Sequence, residues 1–416
     1  MAERTLMRDE LSVEEELALI QRGTEEIFPL EELRQKLERS RRERRPLRVK
    51  LGVDPTASDL HLGHVVPVMK MRQFQDLGHQ AILIIGDYTA MVGDPTGRNK
   101  TRPQLSHEQV MANARDFTRQ LFMILDPERT QVVYNGSWFS KLTFVDVIKL
   151  LSRMTVARMI EREDFAERLR KGLPIGLHEL VYPLMQGYDS CMIEADVELG
   201  GIDQKFNILV GRDLQREMGQ EPQVGVCSPI LIGTDGREKM SKSLGNTVDL
   251  LAPPEDKYGK IMSIPDELII PYFGLLTEVP LDTVAQLRRG METGELHPME
   301  VKARLAREVT GRFHSPEEVE AAERHFRRVV QERELPEEMD EVVLAPGDLR
   351  DGRIWIVRLL QMGGLVASAS EARRLIAQGG VRLDGEPVTD ADLDWQPVDG
   401  AVVQVGKRRF ARVRLG

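Results

Sequence analysis

Two short segments that lie far apart in the chain contain residues able to handle the phosphates of a nucleotide. The first, residues 61–64 (HLGH), follows an alternating stretch and a turn and precedes an apolar helical pattern. This order predicts a strand, a turn and a helix N-terminus, where unpaired backbone N–H groups and a partial positive charge attract phosphate. The second, residues 239–243 (KMSKS), is flanked by glycines, and we expect a loop that brings two lysines to the same phosphates.

The residues that follow the first segment predict the sheet that must position it. Residues 81–85 are all apolar and are followed by Gly86 and Asp87, a pattern typical of a strand buried on both faces. Residues 64–77 have a helical pattern, which completes a strand–helix–strand unit. The predicted fold class is therefore α/β, with a Rossmann-like parallel sheet that binds a nucleotide.

In their order and spacing, the two segments resemble the signature of the class I aminoacyl-tRNA synthetases. Residues 182–189 (YPLMQGYD) narrow the resemblance to the tyrosyl-tRNA synthetases, and a helix there would place Tyr182, Gln186 and Asp189 on one face. The resemblance covers nearly the whole chain. It implies that the protein activates L-tyrosine with ATP and Mg²⁺, releases pyrophosphate, and transfers tyrosine from tyrosyl-adenylate to the 3′ end of tRNA-Tyr.

The resemblance also implies roles for individual residues. To catalysis it assigns Thr56, His61, His64, Lys239 and Lys242. To the binding of ATP or pyrophosphate it assigns Gly63, Arg98, Arg102, Asp203, Ser241 and Ser243. To the binding of tyrosine it assigns Lys50, Gly52, Asp54, Asp94, Tyr182, Gln186, Asp189 and Gln204. The reaction requires no protein nucleophile, so catalysis would depend on positioning and on stabilising the charge of the leaving pyrophosphate.

The tyrosine pocket implied by the resemblance has polar groups for both ends of the substrate. Asp94, Tyr182 and Gln186 would hold the ammonium group, and Asp189 would accept a hydrogen bond from the phenolic hydroxyl. Phenylalanine would leave a buried polar group unpaired, and the tyrosyl-tRNA synthetases are themselves the known example of this kind of rejection. On the residues alone, a structural hydrogen-bond network would satisfy the same polar helix face equally well.

Lys50 departs from the pattern of many family members, which carry at this position a tyrosine that also contacts the substrate hydroxyl. The lysine resembles that of a second bacterial branch of the family. Two interpretations are open: Lys50 donates to the phenolic oxygen while it pairs with Asp189, or it points to solvent.

The resemblance implies four successive parts of the chain. Residues 1–235 form the catalytic domain, with N-terminal helices and a helical insertion at about 120–185 that contributes to a homodimer in the family. Residues 236–335 contain the KMSKS loop and an α-helical domain that binds the anticodon side of tRNA. Residues 336–350 are rich in proline and acidic residues and read as a linker, and residues 351–416 resemble the small α+β S4 RNA-binding domain.

Charge and pattern distinguish this last segment from the rest of the chain. From residue 351 onward, ten Lys and Arg stand against eight Asp and Glu, whereas the whole chain has a net charge of −10. Residues 368–371 (SASE) predict a capped helix that carries Arg373 and Arg374, and residues 402–415 predict a hairpin. One face of the last strand contains Arg408, Phe410, Arg412 and Arg414. Such a face suits RNA, although charged outer faces are also normal on small β domains.

Composition excludes several other classes of protein. Two cysteines cannot supply a four-ligand zinc site or a disulfide framework, so we expect neither zinc nor another resident metal. No apolar run approaches the ~20 residues of a membrane span, and we expect a cytoplasmic protein that does not bind membranes. The net charge argues against a protein that coats nucleic acid without selectivity.

Three other functions fit part of the sequence. Tryptophanyl-tRNA synthetases share both signature segments, but the polar residues of 182–189 and the S4-like segment point away from them. A small adenylyltransferase would not need the C-terminal parts. A catalytically silent RNA-binding paralogue would not need intact lysines in residues 239–243 and intact histidines in residues 61–64.

Overall fold

The computed structural model describes residues 11–56, 59–95, 106–328, 339–406 and 409–416. The chain divides into two units, Met1–Phe313 and His314–Gly416, and each unit contains its own sheet. Of the predicted site residues, Arg98, Arg102 and Arg408 lie outside the described ranges.

Apolar runs of the first unit form a six-stranded sheet with the order β1-β6-β5-β2-β3-β4. Five strands are parallel, and only the short edge strand β1 runs antiparallel to its neighbour. The central strands are buried on both faces, which confirms the predicted Rossmann-like sheet. The strands are β1 (Glu26–Phe28), β2 (Arg48–Val53), β3 (Gln80–Ile85), β4 (Thr130–Tyr134), β5 (Val197–Gly201) and β6 (Val224–Ser228).

Helices connect and cover the strands of this sheet, and a helical insertion stands between β4 and β5. No helix in the described ranges is both long and apolar enough to cross a bilayer. The helices of the first unit are α1 (Val13–Gln21), α2 (Leu30–Arg42), α3 (Leu62–Asp76), α4 (Thr89–Val92), α5 (His107–Leu121), α6 (Gly136–Phe139), α7 (Phe144–Leu151), α8 (Val156–Met159), α9 (Glu163–Arg170), α10 (Leu177–Met192), α11 (Lys205–Glu217), α12 (Pro254–Met262), α13 (Ile269–Leu276), α14 (Leu281–Thr293) and α15 (Pro298–Gly311).

The second unit contains a five-stranded sheet with the order β10-β9-β12-β13-β7 and a two-stranded sheet of β8 and β11. The described residues of this unit form the α-helices α16 (Pro316–Phe326), α17 (Ile356–Met362) and α18 (Ala369–Ala377). Its strands are β7 (Asp340–Leu344), β8 (Ile354–Trp355), β9 (Val381–Leu383), β10 (Glu386–Pro387), β11 (Asp394–Trp395), β12 (Val402–Val405) and β13 (Arg409–Leu415).

Two sequence-based expectations for the second unit need correction. Part of the expected linker forms the edge strand β7, because Val342 and Leu344 alternate with exposed residues and join the core. The aromatic ring of Phe410 does not lie on an open arginine face, since it is buried against Val402 and Met339. Phe410 is therefore not available to stack on a base.

A buried ion pair fixes the insertion to the start of α10. Arg168 on α9 donates to both carboxylate oxygens of Glu179, at 2.5 and 3.0 Å, and both side chains are almost fully enclosed. Burial alone would raise the pKa of Glu179, but the hydrogen bonds from Arg168 and from the backbone of Gly176 hold it below its ordinary value. The carboxylate therefore remains charged and depends on its partner.

Arg168→Met would leave Glu179 buried without its cation, and we expect the free energy of unfolding to fall by roughly 3 kcal/mol. Equilibrium unfolding in urea measures the difference. Lys171→Met, at the C-cap of the same helix, removes an exposed pair with Glu167 and serves as the control, with an unfolding midpoint close to that of the parent protein. Equal midpoints for all three proteins would contradict a structural role for the buried pair.

Candidate active site

The strand order of the first unit creates a crevice at the carboxyl ends of the strands. β2 lies between β3 and β5. From β2 the chain continues to β3 and β4 on one side, and it then crosses to β5 and β6 on the other side, so the strand order reverses at β2. Ligands bind at such switch points. A cavity of about 300 Å³ lies here, with α10 along one side. Ten of the predicted site residues line this cavity: Lys50, Gly52, Asp54, Thr56, His64, Asp94, Tyr182, Gln186, Asp189 and Gln204.

Tyr182 is fixed by a carboxylate at the end of β2. Its hydroxyl donates to Asp54 Oδ2 at 2.8 Å, and Thr89 Oγ1 donates to Asp54 Oδ1 at 2.6 Å. Burial, together with the charges of Asp54 and Asp94, raises the pKa of Tyr182 well above its ordinary value. The Tyr182 hydroxyl is therefore a donor, and its oxygen can accept one further hydrogen bond.

Asp189 lies at the base of the cavity with two donors already in place. Asn135 Nδ2 donates to one carboxylate oxygen at 3.1 Å, and Trp138 Nε1 donates to the other at 2.9 Å. Burial raises the pKa of Asp189 to about 7, against the lowering effects of the Lys50 charge and of these two hydrogen bonds. The carboxylate keeps lone pairs for a third donor, such as a hydroxyl.

A chain of side-chain amides leads from α10 to Asp94, which also lines the cavity. Asn207 Nδ2 donates to Gln186 Oε1 at 2.9 Å and to Gln204 Oε1 at 3.0 Å. Gln204 Nε2 donates in turn to Asp94 Oδ2 at 2.8 Å, and Arg162 Nη2 lies 3.4 Å from Asp94 Oδ1. Carboxylate and amide oxygens thus gather at this end, which is the arrangement that a substrate ammonium group requires.

Lys50 matches neither of the two interpretations drawn from the sequence. Its side chain is completely enclosed, so it does not point to solvent. Its ammonium forms an ion pair with Glu198 at 2.8 Å and donates to Gln186 O and Ser190 Oγ, at 2.8 and 2.7 Å. The ion-pair partner is therefore Glu198, and Asp189 feels the lysine only through its charge.

The two histidines of the first segment form the N-terminus of α3. His61 Nδ1 accepts from the Gly63 N–H at 3.2 Å, and His64 Nδ1 accepts from the His61 N–H at 3.3 Å. Burial, with the nearby charge of Lys242, lowers the pKa of His61 to about 3 and that of His64 to about 4. Both imidazoles are therefore neutral at ordinary pH, and each carries its proton on Nε2, which points a donor away from the backbone.

The space at this turn explains the glycine between the histidines. A Cβ atom on Gly63 would lie 2.9 Å from His61 Cε1, so any larger residue would displace the imidazole. The helix start therefore keeps its backbone N–H groups within reach of a phosphate.

Backbone hydrogen bonds bring the second segment to the first. Leu62 N–H donates to Val248 O, and Leu250 N–H donates to Leu60 O, both at 2.9 Å. The chain that follows residues 239–243 therefore runs beside the start of α3.

Asn246 shapes the loop of the second segment. Its Oδ1 accepts from the Ser241 N–H at 2.8 Å, and its Nδ2 donates to Asp235 Oδ2 at 2.7 Å and to Lys239 O at 3.1 Å. Ser241 and Ser243 lie within hydrogen-bonding distance of each other, with their hydroxyl oxygens 3.0 Å apart.

Both lysines of this loop interact electrostatically with carboxylates that precede the loop in the chain. Lys242 Nζ lies 3.3 Å from Asp59 Oδ2, and both side chains are well exposed. Burial and the charge of Asp94 raise the pKa of Asp203, while the charge of Lys239 opposes that shift. Lys239 and Lys242 therefore place positive charge near Asp203 and near the α3 N-terminus, respectively.

The arginines predicted to bind RNA differ in their surroundings. Arg373 lies over the Trp355 ring, with a second contact to Asp392 at 3.4 Å. Arg414 contacts Glu341 at 3.0 Å. Arg374 is exposed and Arg412 is half-buried. Arg414 thus already interacts with a carboxylate of the protein, whereas Arg374 is open to solvent.

Sequence reasoning missed several residues that contact the predicted ones: Thr89, Asn135, Arg162, Trp138, Glu198 and Asn207. One signal was available for Glu198. It lies among apolar residues of a buried strand, and a carboxylate in such a position requires a buried partner. No comparable signal marks Asn135, which lies in a turn-forming stretch.

Comparison with known proteins identifies the family of the chain. Residues 42–331 match the family of tRNA synthetases class I (W and Y), and residues 354–393 match the S4 domain. The tyrosine–tRNA ligase of Moorella thermoacetica is 53% identical over 404 residues, which cover 97% of both chains. That of Thermotoga maritima is 48% identical over 98% of this chain and 99% of its own.

Solved structures lead to the same family. The tyrosyl-tRNA synthetase of Archaeoglobus fulgidus, solved in complex with L-tyrosine, has a TM-score of 0.61 and 25% identity over 75% of this chain and 99% of its own. The identities and coverage of the relatives exceed what a shared fold alone would give. The chain therefore belongs to the class I tRNA synthetases of the tryptophan and tyrosine group and, within that group, to the tyrosine–tRNA ligases.

Proposed function

We propose that this protein activates L-tyrosine with ATP, releases pyrophosphate and transfers the tyrosyl group from the adenylate to the 3′ end of tRNA-Tyr. One observation carries the assignment of the substrate. The cavity is lined by a buried carboxylate, Asp189, which keeps lone pairs for a further donor, and by Gln186 and Asp94, which supply oxygen acceptors. A phenol matches the first of these groups and an ammonium group matches the second.

The Asp189 end supports selection of tyrosine. Phenylalanine would enter the same cavity but would leave a desolvated carboxylate without its third donor, and tyrosyl-tRNA synthetases are the known example of this effect. Tryptophan offers an indole N–H in place of a phenol, and the residues of α10 resemble those of the tyrosine enzymes. We therefore favour tyrosine over tryptophan.

The start of α3 supports the adenylation step. The tyrosine carboxylate would attack the α-phosphorus of ATP and expel pyrophosphate, so negative charge grows on the leaving group. Neutral His61 and His64 offer Nε2–H donors, the α3 N-terminus offers backbone N–H groups, and Lys239 and Lys242 supply cations. These groups position and stabilise, and none of them needs to take a proton.

We propose that Mg²⁺ arrives as part of the ATP substrate, since magnesium in such sites is commonly held by substrate phosphates. Among the described residues, no group of three or more His, Cys, Asp or Glu side chains is placed to hold a metal ion.

The match of residues 354–393 to the S4 domain supports tRNA contact by the second unit, with Arg373, Arg374 and Arg412 as candidates. We place the reaction in the cytoplasm, where tRNA is charged for translation.

We also propose that the protein acts as a homodimer. The insertion exposes a set of large apolar side chains, here named the insertion patch: Phe144, Val145, Ile148, Val156 and Leu177. The exposed fractions of Phe144 and Leu177 are 79% and 82%, and exposed apolar side chains of this size mark association surfaces. A second copy is the favoured partner because the corresponding insertion contributes to dimers in the family.

Amino-acid-dependent ATP–pyrophosphate exchange tests the proposed activity. We expect exchange with tyrosine and none with phenylalanine or tryptophan. Lys242→Ala should lower the exchange rate by about a hundredfold with little change in the Kd of tyrosine, because the lysine acts on the phosphates. Lys260→Ala, which removes a lysine paired with Asp256 on α12, is the matched control. Exchange with tryptophan, or none at all, would refute the proposal.

The raised pKa of Asp189 and the lowered pKa values of His61 and His64 predict different pH profiles for KM and kcat. Because the pKa of Asp189 is about 7, its carboxylate gains a proton below that pH and loses acceptor capacity for the phenol. The KM for tyrosine should therefore rise by about tenfold per unit as the pH falls below about 7. The kcat should stay flat over the same range, since His61 and His64 remain neutral. A kcat that titrates near the ordinary histidine pKa, or a KM independent of pH, would be inconsistent with these assignments.

Phe144→Asp should convert the proposed dimer to a monomer of 47.2 kDa, because the proposed contact through the insertion patch would bury a carboxylate. Sedimentation equilibrium measures the mass. Leu281→Asp replaces an exposed leucine of α14 outside the patch and should leave the mass unchanged. A parent protein that sediments as a monomer would rule out the dimer.

A further inference from the structure

Lys50 and Glu198 form a cross-strand ion pair beneath the cavity. They are direct neighbours in the register of β2 and β5, and their side chains are 0% and 1% exposed. An ammonium group has three N–H donors. Those of Lys50 meet Glu198 Oε1, Gln186 O and Ser190 Oγ within 2.7–2.8 Å. All of its donors are therefore used inside the protein, and none remains for a substrate atom.

Glu198 connects Lys50 to the side chain of Gln186 by hydrogen bonds. Its Oε1 accepts from Lys50 and, at 3.0 Å, from Gln186 Nε2. Its Oε2 accepts from Ser190 Oγ and Gln223 Nε2. An ionised carboxylate only accepts hydrogen bonds, so it holds the NH₂ group of Gln186 toward itself. The amide oxygen of Gln186 is thereby turned the other way.

The next residues extend this series of hydrogen bonds. Gln186 Oε1 accepts from Asn207 Nδ2, and Asn207 is fixed in turn because Arg162 Nη1 donates to its Oδ1 at 3.3 Å. Asn207 also orients Gln204, whose NH₂ group donates to Asp94. A continuous series of hydrogen bonds therefore joins Glu198 to Asp94, and within it the donation runs outward from Asn207 Nδ2 toward the two carboxylates.

We propose that Lys50 is a positioning residue for the ammonium end of the substrate, which it serves through Glu198 by fixing the amide of Gln186 with its oxygen toward the ligand. It does not contact the phenolic hydroxyl. This inference rests on the proposed activation of tyrosine. A reversed Gln186 amide would present N–H groups to an ammonium group, which has only donors, and the hydrogen bond would be lost.

Two analogues of tyrosine separate the contribution of its ammonium group from that of its carboxylate. Tyramine keeps the phenol and the ammonium group, and 3-(4-hydroxyphenyl)propionate keeps the phenol and the carboxylate. In Lys50→Met we expect the Kd of tyramine to rise on the order of tenfold, and that of the propionate to change by less than about twofold. Titration calorimetry on the full chain measures both. The preference for tyrosine over phenylalanine in pyrophosphate exchange should stay unchanged.

Two further variants separate positioning from a general loss of stability. Lys50→Met/Glu198→Leu removes both buried charges, so the melting temperature should recover while tyramine binding stays weak, because Gln186 Nε2 has lost its carboxylate acceptor. Lys302→Met removes a buried lysine of α15 that donates to Ile264 O and Asp266 Oδ1. This control should lose stability but bind both analogues as the parent protein does.

Each contrary result has a distinct meaning. Weaker binding of the propionate, with tyramine unaffected, would place the effect of Lys50 at the substrate carboxylate and overturn the proposal. Equal weakening of both analogues, which share the phenol, would place Lys50 at the hydroxyl if the preference for tyrosine over phenylalanine also fell, and would show a packing role if it did not. Either result, or recovery of tyramine binding together with stability in the double variant, would also overturn the proposal. Absence of tyrosine-dependent exchange in the parent protein would refute the activity, and the two analogue affinities would still decide what Lys50 does.

Discussion

Helix α10 turns a polar face toward a sheet from which water is excluded, and every polar group on that face must be paired within the protein. Its three residues obtain their partners from three different places in the chain. Tyr182 is held from the end of β2, Gln186 from β5, and Asp189 from the turn after β4. The requirement for pairing therefore links the sheet order, the insertion and the shape of the cavity. A shift of any one of these elements would leave a buried polar atom without its partner.

Local patterns in the sequence were sufficient for the fold class and for the polar face of α10. The apolar run of β3 and the spacing of Tyr182, Gln186 and Asp189 are set by the periods of strand and helix, which a sequence displays directly. The family and its S4 segment are confirmed by the comparisons. The boundaries between the four predicted parts of the chain and the catalytic and binding roles of individual residues remain predictions.

The partner of Lys50 could not be predicted in the same way. Lys50 and Glu198 are brought together by the register of two strands that are distant in sequence, and no local period encodes that register. A lysine in one apolar strand and a glutamate in another predict a buried ion pair only when the two strands are considered together. The strand β7 was missed for a related reason, because its alternation is short and lies among acidic residues that are typical of a linker.

The pairing of β7 with β13 constrains the order in which the second unit can form during synthesis. β13 pairs with β12 on one side and, in parallel, with β7 on the other, so residues 409–415 join the earliest strand of the unit to the rest of its sheet. On the ribosome, this sheet cannot close until those residues have emerged. All six strands of the larger sheet lie before residue 229 and can assemble while the second unit is still being translated. The nascent chain thus has its nucleotide-binding sheet in place well before its S4 segment is folded.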